Sequence, residues 1–358
     1  MGSPSPGGGR PRPRRRRRSA PPWAAEDRAT YVPGSPAYVL PAAELPPPAS
    51  VTRASHPPCA RWHSPAARVC AGAPVIPAPR MLRLRPRPAP CYLIWAVCTL
   101  AVVHRAHATL PLVVAANRDE FFARPATPPA VLEDAPRIVA GRDLLGGGSW
   151  LGATGRGFFV GLTNQRSAAG SPSGARSRGH VVLDALRAGS VAATDALLAA
   201  LDPTEYGGFN LLYGDAHALH VAYARPDAST VEIAPLPPGV HVLANDRLGS
   251  ASMPKALRAA ARIEGWLERP WPALRDALAE LLADDSIPPL EAVPAPPPDA
   301  PFDRAFAQRL QALCVRTPSY GTRCADLLAI DAGGVRAHLH AEGPPGDVPF
   351  EDVSALYR

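Results

Sequence analysis

Residues 1–96 carry neither helical nor strand periodicity, and regular patterning begins at Val97. Residues 98–104 read as a strand, and 111–116 (Pro-Leu-Val-Val-Ala-Ala) as a short buried strand ending in the polar cluster Asn117-Arg118-Asp119-Glu120. Residues 138–141 approach a glycine-rich turn at Gly146-Gly147-Gly148, and 149–153 and 157–164 read as paired strands around Thr154-Gly155-Arg156. A Ser/Gly/Ala loop over 167–177 leads to a helix at 180–187, continued after a break at 191–201. Four short strands follow, at 209–213, 217–223, 229–233 and 239–244. Helices are expected at 252–268, with Pro254 in its first turn, and at 271–284. A Pro-rich linker over 288–301, a third helix at 303–313 and closing strands at 316–320, 322–331 and 334–342 complete the pattern. Many antiparallel strands with helices in separate blocks predict an α+β layered protein rather than a doubly wound one.

Composition divides the 358-residue chain unevenly. Residues 1–96 hold 21 of the 46 prolines and 15 arginines against three acids, Glu26, Asp27 and Glu44. Residues 97–358 hold 23 Lys+Arg against 28 Asp+Glu, so the net charge of +7 originates wholly in the first quarter. The patterned part is mildly acidic, and no nucleic-acid partner is expected. A stretch so rich in Pro and Arg buries too little apolar surface to offset its chain entropy, and a disordered extension is expected there. Three readings compete for it: a basic tail, a targeting segment, and a start site assigned too far upstream. The excess of Ala, Arg, Pro and Gly, typical of GC-rich DNA read through in any frame, favours a start-site artefact at 1–96 ahead of a domain at 97–358.

The targeting reading rests on Met81, the basic Arg83, Arg85 and Arg87, an apolar run over 91–103 and the small-x-small Ala106-His107-Ala108. About 13 apolar residues are too few to span a bilayer, so stable membrane insertion is not expected. Pro88 and Pro90 crowd the junction, and cleavage after Ala108 would discard Cys98. Of six cysteines, Cys59, Cys70 and Cys91 lie in the extension, leaving Cys98, Cys314 and Cys324. No Cys-x-x-Cys occurs, which removes the zinc and dithiol readings and points to a reducing cytoplasm. His338 and His340 share one face of a strand without an evident third metal ligand, and no metal is expected.

A cysteine in an apolar strand is ordinarily a small core residue. Cys98 differs by its setting. Val97 before it can be encoded by GTG, an alternative start codon, and Asn117 follows 19 residues later. A chain that began Met-Cys-Thr-Leu and lost its Met would expose Cys98 with a thiol (pKa about 8.5) and an α-amine (about 7.7–8.0) in one residue. The amine then serves as base for its own nucleophile; an upstream peptide bond abolishes that. A nearby carboxylate such as Asp119 would hold the ammonium, and a guanidinium such as Arg118 would favour the thiolate. An isolated Arg-Asp-Glu turn, by contrast, is only a solvated surface feature.

Asn117-Arg118-Asp119-Glu120-Phe121 with Arg124-Pro125 resembles the naming motif of the NRDE family, which includes the transport-and-Golgi-organisation proteins. Further blocks in the same order extend the resemblance over nearly all of 97–358. They are Gly141-Arg142-Asp143, Gly147-Gly148-Ser149-Trp150-Leu151-Gly152, Gly161-Leu162-Thr163-Asn164-Gln165-Arg166, Ser177-Arg178-Gly179, Asn245-Asp246 and Tyr320-Gly321-Thr322-Arg323. Cys324 stands where the family usually has Ser or Thr. The resemblance implies a four-layer αββα fold of the N-terminal-nucleophile hydrolase type, distantly similar to bile-salt hydrolases and penicillin V acylases. It implies Cys98 as nucleophile, Arg118 and Asp119 as its partners, and Asn164 and Asn245 as oxyanion-hole donors. Arg323 would bind a substrate carboxylate or else pair with Asp326 or another carboxylate. The implied activity is hydrolysis of a non-peptide amide or related acyl bond with no cofactor. The alternative is a haem or lipid/acyl-CoA carrier without turnover, with a small-molecule amide, acyl or haem-like ligand in either case.

Overall fold

Alternation within the first strand decides the layering. In β1 (Thr99–His104), Leu100 and Val102 turn to one side and Ala101 and Val103 to the other, and all four are buried. A strand buried on both faces must lie between two apolar layers. The computed structural model describes residues 1–2, 98–165, 174–296 and 302–358. The Pro/Arg-rich extension 1–96, apart from its first two residues, lies outside these, as do parts of the expected 167–177 loop and 288–301 linker.

The elements after β1 are β2 (Leu112–Phe121), β3 (Ala126–Asp134), β4 (Arg137–Asp143), β5 (Leu151–Thr154), β6 (Phe159–Asn164), α1 (Arg178–Ala188) and α2 (Val191–Ala199). There follow β7 (Phe209–Gly214), β8 (Leu219–Ala224), β9 (Glu232–Pro235), β10 (Gly239–Leu243), α3 (Pro254–Glu264) and α4 (Trp271–Leu282). α5 (Arg304–Arg309), β11 (Tyr320–Asp331), β12 (Gly334–Ala341) and β13 (Glu351–Asp352) complete the order. One antiparallel sheet has six strands in the order β10-β1-β2-β11-β12-β13. The other is a seven-stranded meander, β3 to β9 in sequence.

The two sheets stack through Leu100, Val102 and Val114 on one and Leu151, Phe159 and Leu212 on the other. The opposite face of the first sheet (Ala101, Val103, Ala115) is covered by α3 and α4 through Ile263, Leu274 and Leu278. The opposite face of the second (Ile138, Val160, Leu211) is covered by α1 and α2 through Val182, Leu186 and Leu198. The result is the αββα sandwich. Phe159 is fully buried between the sheets, so Phe159→Ala is expected to cost about 3–5 kcal/mol. A lowered urea midpoint at unchanged denaturant slope checks this.

Two expectations are corrected. The strand at 111–116 does not stop at the polar cluster: β2 runs on through Phe121, because β11 continues the ladder beside it (Thr322 opposite Asp119, Cys324 opposite Arg118). The strand expected at 316–320 is a turn, in which the Thr317 hydroxyl donates to the Tyr320 carbonyl at 2.5 Å. β3, a strand for which the sequence pattern assigned no element, carries Pro128 and Pro129; it lies at the sheet edge, its register shifting between Thr127 and Ala130. Edge strands tolerate prolines because one side of the backbone needs no ladder bond.

Candidate active site

The register of β1 and β2 pairs Thr99 with Asn117, so one further step sets Cys98 opposite Arg118. Alternation then separates the motif's side chains. Asn117 and Asp119 point to the helix-covered face, and Arg118 points between the sheets. Asn117 donates to the carbonyls of Leu282 (2.8 Å) and Leu313 (2.9 Å). Arg118, 5 % exposed, reaches across to Asp143 at the end of β4 (3.2 Å) and lies 4.2 Å over the Trp150 ring.

Asp143 is the hub of that crossing. It also accepts from Arg124 (2.6 Å) and from the Gly146 N–H (2.8 Å). Burial works to raise its carboxyl, but the Arg124 and Gly146 hydrogen bonds and the field of Arg118 hold it below the usual range. The glycine blocks serve the same corner. A Cβ on Gly141 would meet the Trp150 ring at 2.5 Å, and one on Gly148 would meet the Gly179 backbone at 2.1 Å. Trp150 can therefore pack over Gly141, and the start of α1 against Gly148, only with glycine at both positions.

Cys98, half-buried, opens into a cleft between the sheets whose walls include Arg118, Trp150, Leu151, Leu162 and Asp326. The cleft encloses about 260 Å³ counting its open mouth. Burial first, and then the negative charge of Asp119, push the Cys98 thiol up to about 11; the Asp119 N–H and Arg118 pull the other way. With an amide bond ahead of it, this thiol is a poor nucleophile at neutral pH.

Asp119 is fully buried. One oxygen accepts from the Thr322 hydroxyl (2.6 Å), and the other faces the Lys255 ammonium at 3.7 Å. Burial pushes its carboxyl up to about 7, against the pull of Lys255 and Thr322.

Asn164 ends β6, and Asn245 follows β10 in the other sheet. They are brought together through their neighbours: the Thr163 hydroxyl donates to the Ala244 carbonyl (2.6 Å), and Asn210 bridges Thr163, Ala244 and Asp246. Neither asparagine is among the cleft walls beside Cys98. Arg323 is not on Asp326. Its Nη1 donates to the carbonyls of Phe122 (2.6 Å) and Arg124 (2.8 Å), and Nη2 lies 4.0 Å from Glu342, so it clamps the turn after β2.

Sequence reasoning passed over Asp143 and Trp150 as chemistry, although both stand in quoted motif blocks, and it missed Lys255 altogether. The two strand histidines converge on buried Asp326, His338 Nε2 at 3.0 Å and His340 Nδ1 at 2.8 Å. Burial opposes both charges, but the mutual hydrogen bonds win: Asp326 is lowered to about 2 and His340 raised to about 9. His340 charged is thus favoured in the fold. Its stabilisation is complete below about pH 6.5 and lost as pH rises through 9. Asp326 contributes above its usual 3.8 and fails as pH falls through 2. His340→Gln is therefore expected to be less stable than wild type at pH 6, with the gap closing by about pH 9.5; denaturation midpoints across that range check it.

Two stacked antiparallel sheets between helix pairs define a four-layer αββα protein, with a cysteine just ahead of an inner strand. The chain belongs to the Transport and Golgi organisation 2 family, whose model matches residues 97–340. It is 31% identical over 233 residues to the cattle Transport and Golgi organization protein 2 homolog, covering 62% of this chain and 83% of that one. To the human homolog it is 28% identical over 240 residues, with the same coverages. Among solved structures it is similar to a Caenorhabditis elegans N-acylethanolamine-hydrolyzing acid amidase ortholog (TM-score 0.41, 12% identity, 66% of this chain and 93% of that one). It is also similar to a conjugated bile acid hydrolase from Clostridium perfringens (TM-score 0.40, 10% identity, 73% and 94%). Among the described residues no helix is long and apolar enough to cross a membrane.

Proposed function

We propose that the chain beginning at Cys98 is a cysteine hydrolase that cleaves a small non-peptide amide or related acyl bond in the cytoplasm. On this reading residues 1–96 form no part of the active protein. The observation that carries it is the setting of Cys98. Its thiol opens into a narrow cleft, Arg118 is fixed beside it by Asp143 and Trp150, and the Asp119 carboxylate is buried behind it.

In the proposed reaction the α-amine of Cys98 takes the thiol proton, directly or through one water, and Sγ attacks the substrate carbonyl carbon. The side-chain N–H groups of Asn164 and Asn245 hold the oxyanion, a role worth about 2.7–4 kcal/mol per donor in comparable holes. Collapse of the tetrahedral intermediate expels the amine, which takes its proton from the α-ammonium, and leaves a thioester on Cys98. Water, deprotonated by the same α-amine, attacks the thioester and releases the carboxylic acid. Arg118 favours the thiolate, and Asp119 keeps the ammonium in place.

The carrier reading is not favoured. The space enclosed beside Cys98 is about 10 Å³, far too little to sequester a haem or an acyl chain, whereas hydrolysis needs only the scissile carbonyl to reach Sγ at the mouth.

The test is a full chain with a specific protease site ahead of Cys98, cut after folding and offered a panel of N-acyl amines and thioesters. Intact mass is expected to reveal an acyl adduct on Cys98, with turnover lost in Cys98→Ala. A cut chain that neither acylates nor turns over any of them contradicts the proposal.

A further inference from the structure

Of the 38 cationic side chains in the sequence, 37 are arginine and one is lysine, Lys255. That lysine is fully buried. It occupies the first turn of α3, where Pro254 opens the helix, and its ammonium lies 3.7 Å from the buried Asp119 carboxylate and 3.5 Å from the Ala312 carbonyl. Thr322 holds the other Asp119 oxygen and is itself oriented, its hydroxyl accepting from the Val315 N–H at 2.9 Å. Three segments far apart in sequence, α3, the 312–315 loop and β11, thus converge on one carboxylate at the end of β2.

We propose that Lys255 is a positioning residue of the Cys98 site: it keeps the buried Asp119 carboxylate ionised next to the amino group that Cys98 carries when the chain begins there. The inference rests on the hydrolase reading for its purpose, though not for its physics. Stability gives little reason to keep such a pair, since replacing both buried ions by apolar groups is often neutral or stabilising. The choice of lysine in a chain that otherwise uses arginine fits a compact point charge in a fully closed space, where a planar five-donor fork would leave donors unmet.

Among the described residues, the ionisable groups coupled to Asp119 include Lys255 from α3, Glu120 on its own strand, Cys98 at the head of β1 and Cys314 from the loop before β11. Lys255 is the cation among them. Burial already carries the Asp119 carboxyl up to about 7 with Lys255 in place. Without that ammonium it would be neutral through the physiological range, and a neutral carboxyl does not hold an α-ammonium.

A single lysine makes the test direct, because the chain labelled with 13Cε-lysine gives one lysine signal. In the uncut full chain that signal is expected to inflect near pH 7 as Asp119 ionises, and to lose the inflection in Asp119→Asn. Cutting ahead of Cys98 adds a second cation and is expected to move the inflection down by about one pH unit. An inflection that persists in Asp119→Asn, or that cutting leaves unmoved, overturns the proposal. On the cut chain, Lys255→Met is expected to shift the pH–rate profile for acylation of the Cys98 α-amine to lower pH, because a neutral Asp119 no longer stabilises the ammonium, and Lys255→Arg to return part of the shift. A Lys255→Met protein that melts lower yet keeps the wild-type profile assigns Lys255 to structure alone and also overturns it. If the signal responds to cutting while Cys98 reacts no faster than Cys314 or Cys324, the coupling stands and the hydrolase reading falls.

Discussion

A folded chain whose first residue is Cys98 is expected to be alkylated at that thiol roughly 3- to 50-fold faster at pH 7.5 than the same fold with an upstream peptide bond. In the blocked form burial and Asp119 carry the thiol to about 11. An α-ammonium on the same residue is an opposite charge within a few ångströms of the thiolate, and such a charge lowers a pKa by about 1–3 units. The thiolate fraction rises about tenfold per unit, while the reactivity of each thiolate falls by about the 0.4–0.5 power of the same change. The net gain is the range given. Cutting the full chain ahead of Cys98 and following iodoacetamide adducts by peptide mass supplies the comparison, with buried Cys314 and Cys324 as internal controls. Equal rates before and after cutting would remove the α-amine from the account.

The second large effect is at Asp119. Asp119→Ala is expected to destabilise the fold by about 3–5 kcal/mol, because it leaves the fully buried Lys255 ammonium without its counter-charge. Thr322 also loses its acceptor at 2.6 Å. For a domain of this size the loss corresponds to a fall of roughly 6–20 °C in Tm. Asp119→Leu combined with Lys255→Met removes both charges together and is expected to recover most of the loss. A melting temperature in Asp119→Ala within a degree or two of wild type would mean that the pair is not buried as described.

Most of the layering was legible in the chain. The alternation that buries Leu100 and Val102 on one side and Ala101 and Val103 on the other is plain in the apolar run after Val97. The separate helix blocks gave the α+β class, and the resemblance supplied the four layers. The end of β2 was not legible. Polar residues at 117–120 look like a loop, and only the β11 ladder and the partners on both faces keep them extended. β3 was hidden by Pro128 and Pro129, which only an edge position explains.

Within the candidate site, local motifs singled out Cys98, Arg118 and Asp119, which the β1–β2 register sets on adjacent chain segments. They did not point to Lys255 or Asp143. The partners of Arg118 and Asp119 are chosen by tertiary contact, 25 residues away for the Arg118–Asp143 pair and farther still for Lys255. A single lysine in the composition was the one available signal for Lys255. The histidine pair was recognised by its strand spacing. Its partner Asp326 became visible only once β11 and β12 paired and set Asp326 opposite His340.

The proposed hydrolase chemistry depends on the identity of the first residue. Intact mass with N-terminal sequencing of the protein purified from its native source tests it most directly. A chain that begins at Cys98 with a free amine is the predicted result. A chain that begins upstream with Cys98 held in a peptide bond, or one cut after Ala108 that has lost Cys98, would contradict it.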